Sequence, residues 1–180
     1  MPGYIALLRA INIGGHNVKM AELRGLFEEL GFARVETFIA SGNVIFETGS
    51  KSVKALERKI ESHLHRSLGY EVETFIRTDV EVAAVAQYKP FKASAISSAG
   101  AFNVAFLKAP LTREGERTLM SLRTKIDDFH VNDREVYWLC RKRQSESTFS
   151  NAVFEKALGV CTTFRGINTI VRLAAKYSLY

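Results

Sequence analysis

Tyr4-Ile5-Ala6-Leu7-Leu8-Arg9-Ala10-Ile11 is a strand-length run that is largely apolar on both of its alternating sets. One set is Tyr4, Ala6, Leu8 and Ala10; the other is Ile5, Leu7, Arg9 and Ile11. Successive side chains of a strand point to opposite faces, so this composition predicts a strand covered on both sides. A polar turn follows, Asn12-Ile13-Gly14-Gly15-His16-Asn17. Met20 to Gly31 then carries Leu23, Leu26, Phe27 and Leu30 at helical spacing, with Asn17 as the expected N-cap and Gly31 at the C-terminal end.

The same reading continues outward. Val35 to Ala40 and Val44 to Glu47 read as two strands of a hairpin around Ser41-Gly42-Asn43. Ser52 to Leu68 is a helix with Val53, Leu56, Ile60, Leu64 and Leu68 on one face, stopped by Gly69, and Val72 to Thr78 is a further strand. Strand-helix-strand-strand-helix-strand is the split-βαβ, or ferredoxin-like, order. A short helix is expected over Asp79 to Gln87, then an Ala/Ser-rich loop from Tyr88 to Ala101 with Pro90 and Gly100.

The second half repeats the topology but not the sequence. Phe102 to Lys108 reads as a strand and Thr112 to Arg123 as a helix. Ile126 to Val131 and Glu135 to Arg141 form a hairpin around Asn132-Asp133. Ser150 to Leu158 is a helix ended by Gly159, and Arg165 to Lys176 is a helix standing where a fourth strand is due. The expected fold is α+β: two tandem ferredoxin-like (split βαβ) subdomains packed together, with a C-terminal helix. The expected boundaries are 1–87 for the first subdomain with its short helix, 88–101 for a linker, and 102–180 for the second subdomain. A lone ferredoxin-like module leaves one sheet face open, so the apolar strands predict that this face is covered, by the other module or by the C-terminal helices.

Composition narrows the class. The chain has 180 residues, 47% of them hydrophobic and 24% charged, the balance of a globular protein. No apolar run approaches the ~20 residues of a membrane-spanning helix, and the start shows no basic-then-apolar signal segment. A cytoplasmic protein without membrane association is expected. Cys140 and Cys161 lie in apolar contexts and read as two buried free thiols, with no Cys-x-x-Cys motif. The formal charge of +6 is concentrated late, with Arg141-Lys142-Arg143 its densest point. A basic end attracts polyanions, and it also serves as a solvated loop.

The candidate site is built from turns. In a split βαβ module the first two strands are parallel, so the Asn12 to Asn17 loop and the Ser41-Gly42-Asn43 tip fall at one sheet edge, where the Met20 helix also starts. Glycines at positive φ and a helix N-terminus present backbone N–H groups to a carboxylate or phosphate, and Arg9 adds a bidentate donor. The candidate ligand-binding residues are therefore Arg9, Asn12, Gly14, Gly15, Asn17, Ser41, Gly42 and Asn43. The same residues also suit a purely architectural role, because neither turn matches a phosphate-binding loop or a dinucleotide-binding pattern.

Tyr4 to Gly15, then Met20-Ala21-Glu22-Leu23-Arg24 and Ser41-Gly42-Asn43-Val44-Ile45-Phe46, resemble a widespread, mostly bacterial family known only as domain of unknown function 1697. The likeness resumes at Arg134-Glu135-Val136-Tyr137 and at Thr163-Phe164-Arg165-Gly166-Ile167-Asn168-Thr169. It implies tandem ferredoxin-like subdomains and no established activity, substrate or cofactor. It adds Arg165, Asn168 and Thr169 to the candidates, at the expected start of the last helix. Three departures stand out: Ala10 where the family usually has Gly, Gly166 and Ile167 where it has Asn and Trp, and Arg141 to Glu146 where its loop is glycine-bearing.

No catalytic constellation emerges. The four histidines form no metal pattern, and Asp127-Asp128 reads as a charged hairpin arm that could also bind a cation or supply an acid. No cofactor and no metal are expected, and the sequence leaves enzyme status and oligomeric state open. A small-ligand or anion-binding domain is the favoured reading. Nucleic-acid binding through the basic C-terminal stretch is an alternative, not favoured because the strand Asn43 to Glu47 lacks the basic-aromatic motif of RNA-recognition modules. An enzyme with a site between the subdomains is a third.

Overall fold

A computed structural model describes residues 3–39 and 42–177. Two compact units are present: Met1–Ala84 with Leu173–Tyr180, and Val85–Arg172. The first unit contains β1 (Gly3–Leu8), α1 (Met20–Glu28), β2 (Ala33–Thr37), β3 (Asn43–Glu47), α2 (Val53–Leu68), β4 (Thr74–Thr78) and most of α3 (Asp79–Gln87). The second contains α4 (Ala93–Ser98), β5 (Ala101–Phe106), α5 (Arg113–Ser121), β6 (Asp127–Asn132), β7 (Glu135–Cys140), a 3-10 turn (Gln144–Glu146), α6 (Asn151–Leu158), β8 (Thr163–Gly166) and the start of α7 (Ile167–Tyr177).

Each unit has one four-stranded antiparallel sheet, in the order β2-β3-β1-β4 and β6-β7-β5-β8. β1 and β2 are both antiparallel to β3 and so run parallel to each other, which requires the α1 crossover between them. β1 lies between β3, from Gly3↔Glu47 to Leu7↔Asn43, and β4, from Tyr4↔Thr78 to Leu8↔Thr74. β5 holds the equivalent place between β7 and β8. The two sheets therefore share one strand order.

Local chemistry fixes the helix ends. Ser52, Thr112 and Ser150 accept the amides of Ala55, Gly115 and Val153, capping α2, α5 and α6. Gly69 and Gly159 end α2 and α6 in the left-handed region. On one sheet face, Leu23 and Phe27 of α1 and Leu56, Ile60 and Leu64 of α2 pack on Ala6, Leu8, Val44 and Phe46. In the second unit Leu119 of α5 and Phe154 of α6 pack with Ala105, Phe129, Val136 and Trp138.

The opposite faces are buried as well, as the composition of β1 predicts. Ile5, Leu7, Phe75 and Arg77 are buried in the first unit, and Val104, Phe106, Tyr137 and Leu139 in the second. Within the first unit the last turn of α7 reaches β2: the Tyr177 hydroxyl donates to Glu36 at 2.8 Å, and its ring meets Phe38 edge-on. Within the second, Tyr88 and Phe91 lie against His130, Phe102 and Tyr137.

Four expectations are corrected. The fourth strand of the second sheet exists: Thr163–Gly166 forms β8 and pairs with β5, so the last helix begins at Ile167 rather than Arg165. Those four residues are too few and too mixed to signal a strand, and pairing with β5 decides them. A short helix, α4, occupies part of the Tyr88 to Ala101 loop. Asn17 does not cap α1; the N-cap is Lys19, with no side-chain cap bond, because Asn12 Oδ1 closes the preceding loop on the Val18 amide at 2.8 Å. Cys161 is exposed, while Cys140 is buried.

Gly100, just before β5, donates its amide to the Cys140 carbonyl at 2.9 Å, and a Cβ on it would run into the Lys142 carbonyl. Gly100→Ala is therefore expected to lower stability by about 3 kcal/mol. Urea unfolding followed through the single tryptophan, Trp138, measures this; an unchanged midpoint contradicts it.

Candidate functional site

Three loops meet at the C-terminal end of β1. The Leu8 amide donates to the Gly42 carbonyl at 2.8 Å, and the Arg9 amide donates to the Glu73 carbonyl at 2.9 Å. Gly42 has φ +83°, and a Cβ on it would stand 2.8 Å from Ile11 Cγ2 and 3.1 Å from Leu8 Cβ. It is glycine for both backbone and packing reasons. From the third loop, Tyr70 stacks on His16 with ring centroids 3.6 Å apart and donates to the Ile11 carbonyl at 3.2 Å. Burial, and then the nearby Glu22 carboxylate, push the Tyr70 phenol above its ordinary value.

The candidate residues divide by use. Asn43 is fully buried; its Nδ2 donates to the Phe38 carbonyl at 2.8 Å, and its own carbonyl accepts the Phe38 amide at 3.0 Å. Asn12 spends its Oδ1 on Val18. Both side chains hold turns. Gly14 and Gly15 take φ +67° and +86°, are exposed, and would meet nothing within 4 Å if given a Cβ. Their backbone conformation, not crowding, calls for glycine. Asn17 is exposed beside them and Arg9 is half-buried. Ser41 lies outside the described residues.

Arg165, Asn168 and Thr169 belong to the second unit, and the loop cluster belongs to the first. Arg165 is a buried strand residue whose Nη1 donates to Thr163 Oγ1 at 2.7 Å and to the Phe164 carbonyl at 2.9 Å. Burial lowers its guanidinium to about 10, still charged at neutral pH. Asn168 is exposed and Thr169 half-buried in the first turn of α7.

Asp127 is not a charged hairpin arm. It is buried, and its carboxylate accepts Trp138 Nε1 at 2.9 Å, Ser147 Oγ at 2.8 Å and Thr124 Oγ1 at 3.0 Å. Ser147 in turn accepts the Phe149 amide at 2.9 Å. Partners 11 and 20 residues away leave no local signature in the sequence. No group of His, Cys, Asp or Glu able to hold a metal ion occurs among the described residues.

A concavity of about 680 Å³ opens at the other end of β1, over Ile5 and Ile45. Its rim charges face one another: Arg34 lies 3.4 Å from Glu47, and Lys176 3.8 Å from Glu36, which also accepts the Tyr177 hydroxyl. It shares Gly3, Tyr4 and Ile5 with β1 but none of the loop residues above.

The family model described as "Protein of unknown function (DUF1697)" matches residues 1–137. The chain belongs to that family. The match spans β1 and all three loops of the cluster and stops before Thr163 to Thr169. A solved structure, that of the conserved bacterial protein SP0830 from Streptococcus pneumoniae, is similar over 99% of both chains at 22% identity and a TM-score of 0.74. That likeness establishes the α+β two-subdomain fold. No curated protein matches the chain.

Ala10 takes a glycine-like backbone at φ +55°. Ala10→Gly is expected to stabilise the chain by about 0.5 kcal/mol, the relief of left-handed strain less the added freedom of the unfolded chain. A lowered thermal midpoint contradicts this. Asp127→Ala strands the buried Trp138 indole N–H and removes the acceptor of half-buried Ser147 and exposed Thr124, and is expected to cost about 2–3 kcal/mol, read as an earlier urea transition of Trp138 emission; Asp128→Ala, at a partly exposed pair with Arg123, is expected to cost less than about 1 kcal/mol.

Proposed function

We propose that the loop cluster at the end of β1 binds a small anion, a carboxylate or phosphate, through Arg9 and the backbone of Gly14, Gly15 and Asn17. The observation that carries this reading is the Gly14-Gly15 pair. Two consecutive left-handed glycines stand in open space, in the loop that leads into a helix whose N-cap, Lys19, makes no side-chain cap bond. Exposed amides beside a helix N-terminus favour negative charge. Asn12 and Asn43 support the loops rather than the ligand, which narrows the candidates to Arg9, Gly14, Gly15 and Asn17.

Glu22 opposes this charge. It sits in the first turn of α1, where it already complements the helix end. Arg9 then has to supply the net attraction, through a charge-assisted hydrogen bond. A reaction is not part of the proposal.

Titration with inorganic phosphate and with citrate, followed by backbone amide NMR, tests it. The Gly14, Gly15 and Asn17 resonances are expected to move together. Arg9→Gln is expected to weaken binding about tenfold, and Glu22→Gln to tighten it about twofold. Shifts confined to other regions, or an Arg9 variant that binds equally well, would reject the site.

A further inference from the structure

The charge of the chain resides in one unit. Residues 85–172 hold fourteen Lys/Arg and eight Asp/Glu, a net of +6, while the first unit holds eleven of each and is neutral. The density peaks just past β7, where Arg141, Lys142 and Arg143 are consecutive and all exposed. Arg141 Nη1 donates to the Lys125 carbonyl at 3.3 Å, which brings exposed Lys125 alongside.

This segment is held in place from several sides. The Arg141 amide donates to the Ile126 carbonyl at 2.7 Å, and the Gly100 backbone packs against Lys142. Glu146 accepts the Arg143 amide at 3.0 Å, and Asn103 Nδ2 donates to Gln144 Oε1 at 3.2 Å. A fixed backbone loses less freedom when its side chains bind a partner. The neighbouring acids are also engaged: Glu146 on that amide, and Asp128 at 3.2 Å from Arg123. On the far side of Gly100, α4 ends in the exposed hydroxyls of Ser97 and Ser98.

We propose that the strip formed by Lys125, Arg141, Lys142 and Arg143 docks the phosphate backbone of a nucleic acid. A row of like charges with two guanidinium forks matches repeated phosphates better than the scattered carboxylates of a protein surface. The docking reads no bases. Of the aromatic residues on the helix-free face of this sheet, Phe102 lies against Phe91, Tyr137 lies against Tyr88, and Phe106 and Tyr137 are fully buried. The base-stacking platform that RNA-recognition modules build on this topology is closed here. The contact is therefore independent of sequence and strongly dependent on salt.

Fluorescence anisotropy of the full chain with a labelled duplex, and with one strand of it, tests the proposal. Four neutralised phosphates give log K against log salt a slope of about −3.6 for the duplex and about −2.8 for the single strand. Between about 50 and about 200 mM salt, duplex affinity is then expected to fall about a hundredfold. Lys125→Gln with Lys142→Gln, both exposed, is expected to flatten the slope by about 2, and Arg141→Gln with Arg143→Gln to do the same; Trp138 emission checks that each variant is folded. Absence of binding at about 50 mM salt, or slopes unchanged in both folded double variants, would overturn it. Equal competition by polyglutamate would overturn it too, in favour of an acidic protein partner.

Discussion

A strand that is apolar on both faces needs two layers, and β1 and β5 impose that demand on everything else. On one face of β1, Ala6 and Leu8 meet α1 and α2; on the other, Ile5 and Leu7 are buried as well. β5 repeats the condition with Ala105 on the helix side and Val104 and Phe106 opposite. Two helices per unit cover only one face of a split βαβ sheet, so further chain must be recruited to the second. In the second unit the Tyr88 to Phe91 segment lies on that face, against Phe102 and Tyr137, and in the first the last turn of α7 reaches the edge strand β2. With both faces taken, polar ligands are left with loops, edges and strand ends, the places where backbone groups still face water.

The glycines at those ends follow two different physical rules. Gly42 is enclosed by Leu8 and Ile11, so any side chain would separate the β3 turn from the end of β1. Gly14 and Gly15 have nothing near them, and only their positive φ excludes larger residues. Packing explains the first completely. It leaves the second pair without a structural purpose beyond turning the chain, and that surplus gives the anion reading its weight. Ala10 shows that the region tolerates some strain: it holds φ +55° at a cost a glycine would avoid.

Much of this fold is legible in the residues because its signals are local. The double-faced apolar run of β1, the helical spacing of α2, Ser52 before it and Gly69 after it each act within a few positions. The strand order also follows, since two strands flanking a third with a helical crossover leave few arrangements. What escapes is decided across distance. β8 is a strand because β5 has an unpaired edge beside it, not because Thr163-Phe164-Arg165-Gly166 favours extended backbone. Arg165 consequently reads as a helix-start ligand in sequence and is a buried strand residue in space. Asp127 looks like a surface acid until Trp138 and Ser147 are brought to it. At the candidate site, the meeting of the loops is legible from topology, but the diversion of Asn12 and Asn43 into turn hydrogen bonds is not.

The uneven charge gives the two proposed sites different physics. The first unit is neutral overall, so an anion at Gly14-Gly15 is held by short-range geometry: amide direction, one guanidinium, and the opposing Glu22. Such contacts survive salt, because they act well inside a Debye length of about 8 Å. The strip in the second unit works in the opposite regime. Its cations act through the field of a unit carrying all of the net +6, and the gain comes from counterions released by the partner. A ligand small enough for the glycine loop carries too few charges to exploit the strip, and a polyanion long enough for the strip has no geometric reason to prefer the loop. Substitutions in one unit should therefore leave binding at the other unchanged unless the two are energetically coupled, a reciprocal effect that would appear in both directions.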